Sequence, residues 1–181
     1  RMQSLVADLM SLSRLEAEKH DVPTDAVDLG QLAARAVGEF TAVIGNARVT
    51  LERPGHLVQV AGDSKQLEQL LRNLIDNALK YGDADKPVAV SLQADGKHAD
   101  IAVTDRGAGI APEHLPHLTR RFYRTDPGRS RAGGGTGLGL AIVKHIVERH
   151  RGKLEIASEK GVGTTVSIRF STIADQGGSV S

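Results

Sequence analysis

The segment from Asp63 to Tyr81 constrains the fold more than any other. Leu67, Leu70, Leu71, Leu74, Ile75 and Ala78 recur there at three- and four-residue spacing and make one wide apolar stripe. A helix with so broad an apolar face has to be covered by a second layer. Asp63 followed by Gln66 resembles a capping box at its start. Strand-like segments are available to receive the helix. Val88, Val90 and Leu92 alternate with smaller or polar residues, Ile101 and Val103 do the same, and Asp95–Gly96 supports a hairpin between the two runs. Short strands are also expected at Arg48–Arg53, His56–Val60, Lys153–Ala157 and Thr164–Phe170, and another helix at Leu29–Ile44. The expected fold class is α/β, a two-layer sandwich in which helices cover one face of a mixed sheet.

Residues 1–20 add a helix of a different kind. Met2, Leu5, Leu9 and Leu12 form a narrow apolar seam, as in a coiled coil or helical hairpin, with no evident packing partner in the chain. "HDVPTDAVDLG" breaks that pattern and reads as a boundary. The expected organisation is a partial hairpin at 1–20, a connection at 21–27, a globular domain at 28–171 and a disordered polar tail at 172–181. Arg1 is not a natural start, so the chain is expected to be a fragment. With 181 residues it can bury about 70% of its unfolded surface without staples. Its 23 basic and 22 acidic residues leave a net charge of +1, which gives no basic footprint for nucleic acid and no polybasic membrane patch. The absence of cysteine excludes disulfides, thiolate metal sites and a Cys nucleophile, and fits a reducing compartment. No apolar run approaches the ~20 residues that span a bilayer.

Several polar residues stand where packing alone does not ask for them. At 100° per residue Gln69, Asn73, Asn77 and Lys80 fall on one flank of the apolar stripe. Asparagine is a poor helix former, so two of them four residues apart call for a reason. A solvated face is one. Ligation of a hard cation by a carboxamide oxygen, with the lysine on a phosphate, is the other. In "VTDRGAGI" Asp105 ends a strand ahead of Gly107 and Gly109. That is either a plain turn or an acceptor for an exocyclic amine beside a backbone that a flat ring can approach. "RRFYRTD" sets Arg120, Arg121 and Arg124 around Phe122 and Tyr123, a solvated basic turn or a phosphate-binding one. "RAGGGTGLGLAIVKHI" is not a Walker loop, since no GxxxxGK followed by Ser or Thr is present. Nor is it a dinucleotide fingerprint, because Leu138 and Leu140 occupy required glycine positions. It still offers backbone N–H groups and a helix N-terminus to an anion, and Gly152 is placed to cap that helix at its other end.

Taken in order, "NLIDNALKY", "DRGAGI", "RFYR", "GGTGLGL" and "GVGTT" resemble the N, G1, F, G2 and G3 boxes of the ATP-binding domain of sensor histidine kinases, the Bergerat fold. "RMQSLVADLMSLSRLE" resembles the second helix of that family's dimerisation and phosphotransfer hairpin, in the style of phosphate-regulon sensors. The resemblance implies ATP and Mg²⁺ as cofactors. Asn77 would ligate the metal with Asn73 in support, and Lys80 and Tyr81 would meet phosphate and nucleotide. Asp105 would accept the adenine amine, Gly107 and Gly109 would floor its pocket, and Arg124 and Arg121 would approach the γ-phosphate. Catalytic weight falls on Asn73, Asn77, Lys80 and Arg124. Ile110, Tyr123, Gly135, Thr136, Gly137, Leu138, Gly139, Leu140 and Thr164 complete the implied ATP-binding set, with a lid from about Arg124 to Gly135 hinged on the G2 glycines.

In related ATPases such as gyrase, a water-activating Glu stands where this chain has Asn73. A carboxamide takes no proton, so the resemblance favours phosphoryl transfer over hydrolysis. A nucleotide-binding scaffold without catalysis and a hydrolysing ATPase are the rival readings. Family members often carry Glu at the position of Gln69, Phe at Leu118 and an acidic residue at Arg120. None of the seven histidines, at 20, 56, 98, 114, 117, 145 and 150, lies in a phospho-acceptor motif, so they read as ordinary surface or core residues and the acceptor is expected upstream. Implied partners are the protein's own dimerisation hairpin, in a homodimer of the full protein, and a cognate response regulator. The implied location is cytoplasmic, on a parent that the family allows to be anchored in the inner membrane.

Overall fold

The computed structural model describes residues 2–18, 21–44, 48–124 and 137–173. Its helices are α1 (Met2–Ala17), α2 (Leu29–Ile44), α3 (Ser64–Tyr81) and α4 (Gly139–Arg149). The strands are β1 (Asp25–Asp28), β2 (Val49–Glu52), β3 (Gln59–Gly62), β4 (Val88–Ala94), β5 (His98–Asp105), β6 (Lys153–Glu159) and β7 (Gly163–Ser171). Five strands form one sheet in the order β2-β4-β5-β7-β6. The β2–β4 pair is parallel and the other neighbours are antiparallel, which makes the sheet mixed. β1 and β3 form a separate antiparallel pair.

The two periodicities meet in the core. Along β5, Ala99, Ile101, Val103 and Asp105 share the buried face, and Val88, Val90 and Leu92 do so along β4. On the helix side, Leu67, Leu70, Leu71, Leu74, Ile75 and Ala78 of α3 are buried against them. α2 and α4 add Leu32, Ala36, Ile142 and Ile146 to the same layer. Among the described residues, no helix is long and apolar enough to cross a membrane.

Several sequence expectations need correction. β1 lies partly within the segment expected to be a connection. Only Val27 of its four residues is buried, so no alternating pattern announces it. The strand expected at His56–Val60 is displaced to Gln59–Gly62, because its partner is β1 and the register runs Val27 opposite Val60. Asp63 does cap α3, accepting from the N–H groups of Lys65 and Gln66 at 3.0 and 3.2 Å. The reciprocal half of the capping box is absent: the Asp63 N–H donates to His150 Nε2 at 3.0 Å, and Gln66 Nε2 donates to Glu18 at 3.4 Å. α4 ends in a Schellman motif whose left-handed residue is Arg151 (φ 56°) rather than Gly152. Its two bonds run from Gly152 N to Val147 O at 2.9 Å and from Arg151 N to Glu148 O at 3.1 Å. Thr172, assigned to the disordered tail, is instead anchored, with its hydroxyl donating to Gly96 O at 2.7 Å and its N–H to Lys97 O at 2.9 Å.

The seam of α1 also finds a partner. α1 packs on α4, with Leu12 and Leu15 buried in the common core and Leu5 packed against it. Met2 and Leu9 of the expected seam are exposed, together with Val6 and Met10. Polar contacts set the docking. Arg149 Nε donates to the carbonyls of Glu18 and Asp21 at 3.3 and 3.0 Å, Gln69 Nε2 donates to Ser11 Oγ at 3.1 Å, and Arg121 is ion-paired with Glu16.

Candidate functional site

A cavity of about 410 Å³ opens between the C-terminal half of α3, the end of β5, the start of α4 and the inner faces of β6 and β7. α3 contributes its polar flank. Asn73, Asn77, Lys80 and Tyr81 all line the cavity. They do so because the apolar stripe fixes the helix rotation, leaving the positions at its edge to face the gap beyond the sheet. The Nδ2 group of Asn73 is buried without a hydrogen-bond partner, and such a group normally has one. Lys80 Nζ lies 2.9 Å from Asp76 Oδ2, one helical turn back.

Asp105 reaches the cavity by the alternation of β5. The period of two places its carboxylate on the face where Ile101 and Val103 are buried, and it is 9% exposed. Burial pushes its pKa above the ordinary 3.8, with partial relief from the N–H groups of Gly107 and Thr164. The Gly107 N–H donates to Oδ1 at 3.0 Å, which engages one of about four lone-pair sites. Gly107 itself is not at the cavity surface. A Cβ there would collide with the Tyr81 carbonyl, so its glycine permits β5 to close on the end of α3. Gly109 does line the cavity, in left-handed backbone (φ 73°) pressed against the Glu159 carbonyl. Ile110 lies beside it, held by its N–H to Ser158 Oγ at 2.8 Å.

The arginine turn supplies two lining residues, Tyr123 and Arg124. Tyr123 hydroxyl is 2.6 Å from His114 Nδ1, and its ring centroid is 5.6 Å from that of His117. Arg121 is not at the cavity, because it is ion-paired with Glu16 of α1. Leu118 packs into the wall and Arg120 is exposed. Gly137, Gly139, Leu140 and Thr164 line the remaining side, whereas Leu138 is fully buried away from it. Gly135, Thr136 and nearly all of the expected lid lie outside the described residues. Among the described residues no group of three or more His, Cys, Asp or Glu could hold a metal.

The sequence reading missed two sources of lining. Ile156 and Val166 form an apolar wall from β6 and β7, readable only once the strand order is known. Ser4 and Asp8 come from α1, which has no place at the site until its docking on α4 is known.

The comparisons with known proteins bear on the same region. The profile of the family described as "Histidine kinase-, DNA gyrase B-, and HSP90-like ATPase" matches residues 62–173. The phosphate regulon sensor protein PhoR of Pseudomonas aeruginosa is 41% identical over 94% of this chain, which spans 39% of that protein's length. Among solved structures, the mycobacterial sensor histidine kinase MprB superposes with a TM-score of 0.69 at 31% identity, over 82% of this chain and 97% of that one. Full-length ShkA in complex with AMPPNP superposes with a TM-score of 0.79 at 26% identity, over 94% of this chain and 36% of that one. Profile, relative and superposition cover the same elements that build the cavity, and the chain belongs to the histidine kinase-, DNA gyrase B- and HSP90-like ATPase family, on its sensor histidine kinase side.

Proposed function

We propose that the cavity binds Mg²⁺·ATP and that the chain is the catalytic part of a sensor histidine kinase. It would donate the γ-phosphoryl group to a histidine on a dimerisation hairpin, for relay to a cognate response regulator. The observation that carries this reading is the convergence of Asn73, Asn77, Asp105 and Arg124 on one cavity that also has an apolar wall. The complex of ShkA with an ATP analogue supports the choice of nucleotide.

Asp105 accepts the exocyclic amine of adenine, with its orientation set by Gly107. Ile110, Ile156 and Val166 exclude water from the ring. Tyr81 and Lys80 border the nucleotide from α3, and Arg124 faces the γ-phosphate. Gly137, Gly139 and Leu140 edge the phosphates. Gly107 acts behind Asp105, and Leu138 anchors the start of α4 from within the core. Arg121 becomes available to phosphate when its pairing with Glu16 is given up.

The residues present fit a divalent cation. Asn77 offers a hard oxygen ligand, and Gly139 keeps the space in front of it clear: a Cβ there would stand 3.8 Å from Asn77 Oδ1. The unpartnered Asn73 amide beside it is a donor for phosphate oxygen or bound water. When bound, Mg²⁺ neutralises charge on the triphosphate. The acceptor imidazole nitrogen bonds to the γ-phosphorus as the bond to the β,γ-bridging oxygen breaks, and ADP leaves. Asn73 accepts no proton from water, which holds hydrolysis down.

The parent protein would be a homodimer through its hairpin, of which α1 is the second helix, with this part on the cytoplasmic side of an inner-membrane anchor. The test mixes the chain with a separate hairpin bearing the upstream histidine and with labelled ATP. Acid-labile label on the hairpin, lost in Asn77→Ala, is expected. Absence of nucleotide binding, or transfer indifferent to Asn77→Ala, would overturn the reading. Steady phosphate release without an acceptor would favour an ATPase instead.

A further inference from the structure

The cavity wall beside Arg124 is held by a histidine that does not line the cavity. Tyr123 lines it next to Arg124, and His114 Nδ1 lies 2.6 Å from the Tyr123 hydroxyl. The Glu113 carboxylate is 3.7 Å from the other ring nitrogen, Nε2, and favours the tautomer with its proton there, so the phenol donates and Nδ1 accepts. The rings of His114 and His117 also pack on that of Tyr123, at centroid distances of 6.0 and 5.6 Å.

His114 is fixed by contacts that involve no ligand. Its segment is tied to β6 by the Ile110 N–H, which donates to Ser158 Oγ at 2.8 Å. From Ala111 onward, the N–H groups of His114, His117, Arg120 and Tyr123 each donate to the carbonyl three residues earlier, at 3.0 to 3.2 Å. The turn that follows needs holding. Phe122 has a φ of 62°, in the left-handed region that a bulky side chain disfavours, and its ring is exposed. Such a backbone persists only where its surroundings over-determine it. On one side the Phe122 N–H donates to Gly137 O at 2.9 Å. On the other stands the Tyr123–His114 bond. The pairing of Arg121 with Glu16 is exposed at both residues and adds little restraint.

We propose that His114 is a positioning residue of the nucleotide site: through Tyr123 it fixes the turn from which Arg124 meets the γ-phosphate. This rests on the nucleotide reading above and adds a residue outside the family's five boxes. Its effect is confined to the phosphate end, because the base end is built separately, on Asp105 and Gly107.

Titration calorimetry of the whole chain with ATP and with ADP, both in Mg²⁺, tests it without any turnover, since the preference for ATP over ADP reads the γ-phosphate contact. Arg124→Ala should lower that preference at least about fivefold relative to wild type. His114→Leu, which keeps the bulk, and Tyr123→Phe should each lower it at least about threefold, with ADP affinity kept within about twofold. The double variant should lose no more than either alone, because each single change removes the same bond. His114→Asn, whose carboxamide can replace Nδ1 as acceptor, should restore the preference, and His56→Gln, on the exposed connection between β2 and β3, should leave it unchanged. Thermal melts establish folding, and Tyr123→Phe, which removes one oxygen atom, keeps the test decisive where His114→Leu does not fold. A preference unchanged in folded Tyr123→Phe, additive losses in the double variant, or His114→Asn as impaired as His114→Leu overturns the proposal and leaves the nucleotide reading standing. Failure of the wild type to bind either nucleotide overturns both.

Discussion

Asp105 and His150 are buried titratable residues whose polar groups carry different duties. Asp105 has its pKa raised by burial, so the folded chain without ligand prefers the neutral acid more than the unfolded chain does. Falling pH therefore relieves a folding penalty as it passes through the raised value toward 3.8. The same protonation takes the charge off the acceptor for adenine and turns one of its oxygens into a donor, which weakens the bond to the amine. ATP affinity should weaken on acidification through that window while the apo domain does not lose stability from this group; Asp105→Asn should bind ATP at least about tenfold more weakly and lose this part of the pH dependence. His150 is set the other way. Its Nδ1 donates to Ile146 O at 2.8 Å and its Nε2 accepts from Asp63 N, which defines the neutral tautomer, and burial lowers its pKa below 6.5. The unfolded chain then takes up the proton first. Stability is full above about 6.5, falls as pH drops toward the lowered folded value and levels off beneath it. Urea unfolding between pH 8 and 5 should show this slope, and His150→Leu should flatten it while orphaning the Asp63 N–H.

At the scale of elements, α1 is the one whose role depends most on its neighbours. Leu12 is 1% exposed and Leu15 is 3% exposed, so Leu12→Ala or Leu15→Ala should cost about 2–5 kcal/mol in chemical denaturation if α1 unfolds with the domain. Arg149→Ala removes the bonds to the Glu18 and Asp21 carbonyls, and hydrogen exchange in α1 should accelerate while β5 and β7 stay protected. What could be read in advance follows the same division. α2 was legible to the residue, and the β4–β5 hairpin follows from alternation around Asp95–Gly96, because each pattern is local and long. β1 was not, since four residues with one buried side chain carry no period and the strand exists only through β3. The capping box was half legible. Its acceptor is local to α3, but the competing partner for the Asp63 N–H arrives from His150, 87 residues later.

Over the whole molecule, the site is a meeting of two registers. The apolar stripe of α3 turns Asn73 and Asn77 toward the gap, and the alternation of β5 puts Asp105 under the same gap. Both registers are written locally, which is why polar residues out of place on apolar periods pointed to the cavity before the fold was known. Arg121 and Leu138 did not follow, because an ion pair to α1 draws one away and full burial takes the other. Asp8 was invisible for the converse reason: nothing in its own surroundings marks it, and only the docking of α1 brings it to the site. The central claim is that this cavity is an adenine nucleotide site built on Asn77 and Asp105. Competition between ATP and GTP for the chain, followed by calorimetry in Mg²⁺, tests it most directly. The account predicts that ATP is preferred by at least about tenfold, since GTP presents a carbonyl where Asp105 requires a donor, and that Asn77→Ala abolishes most of the ATP affinity. Equal binding of ATP and GTP, or ATP binding untouched by Asn77→Ala, would contradict it.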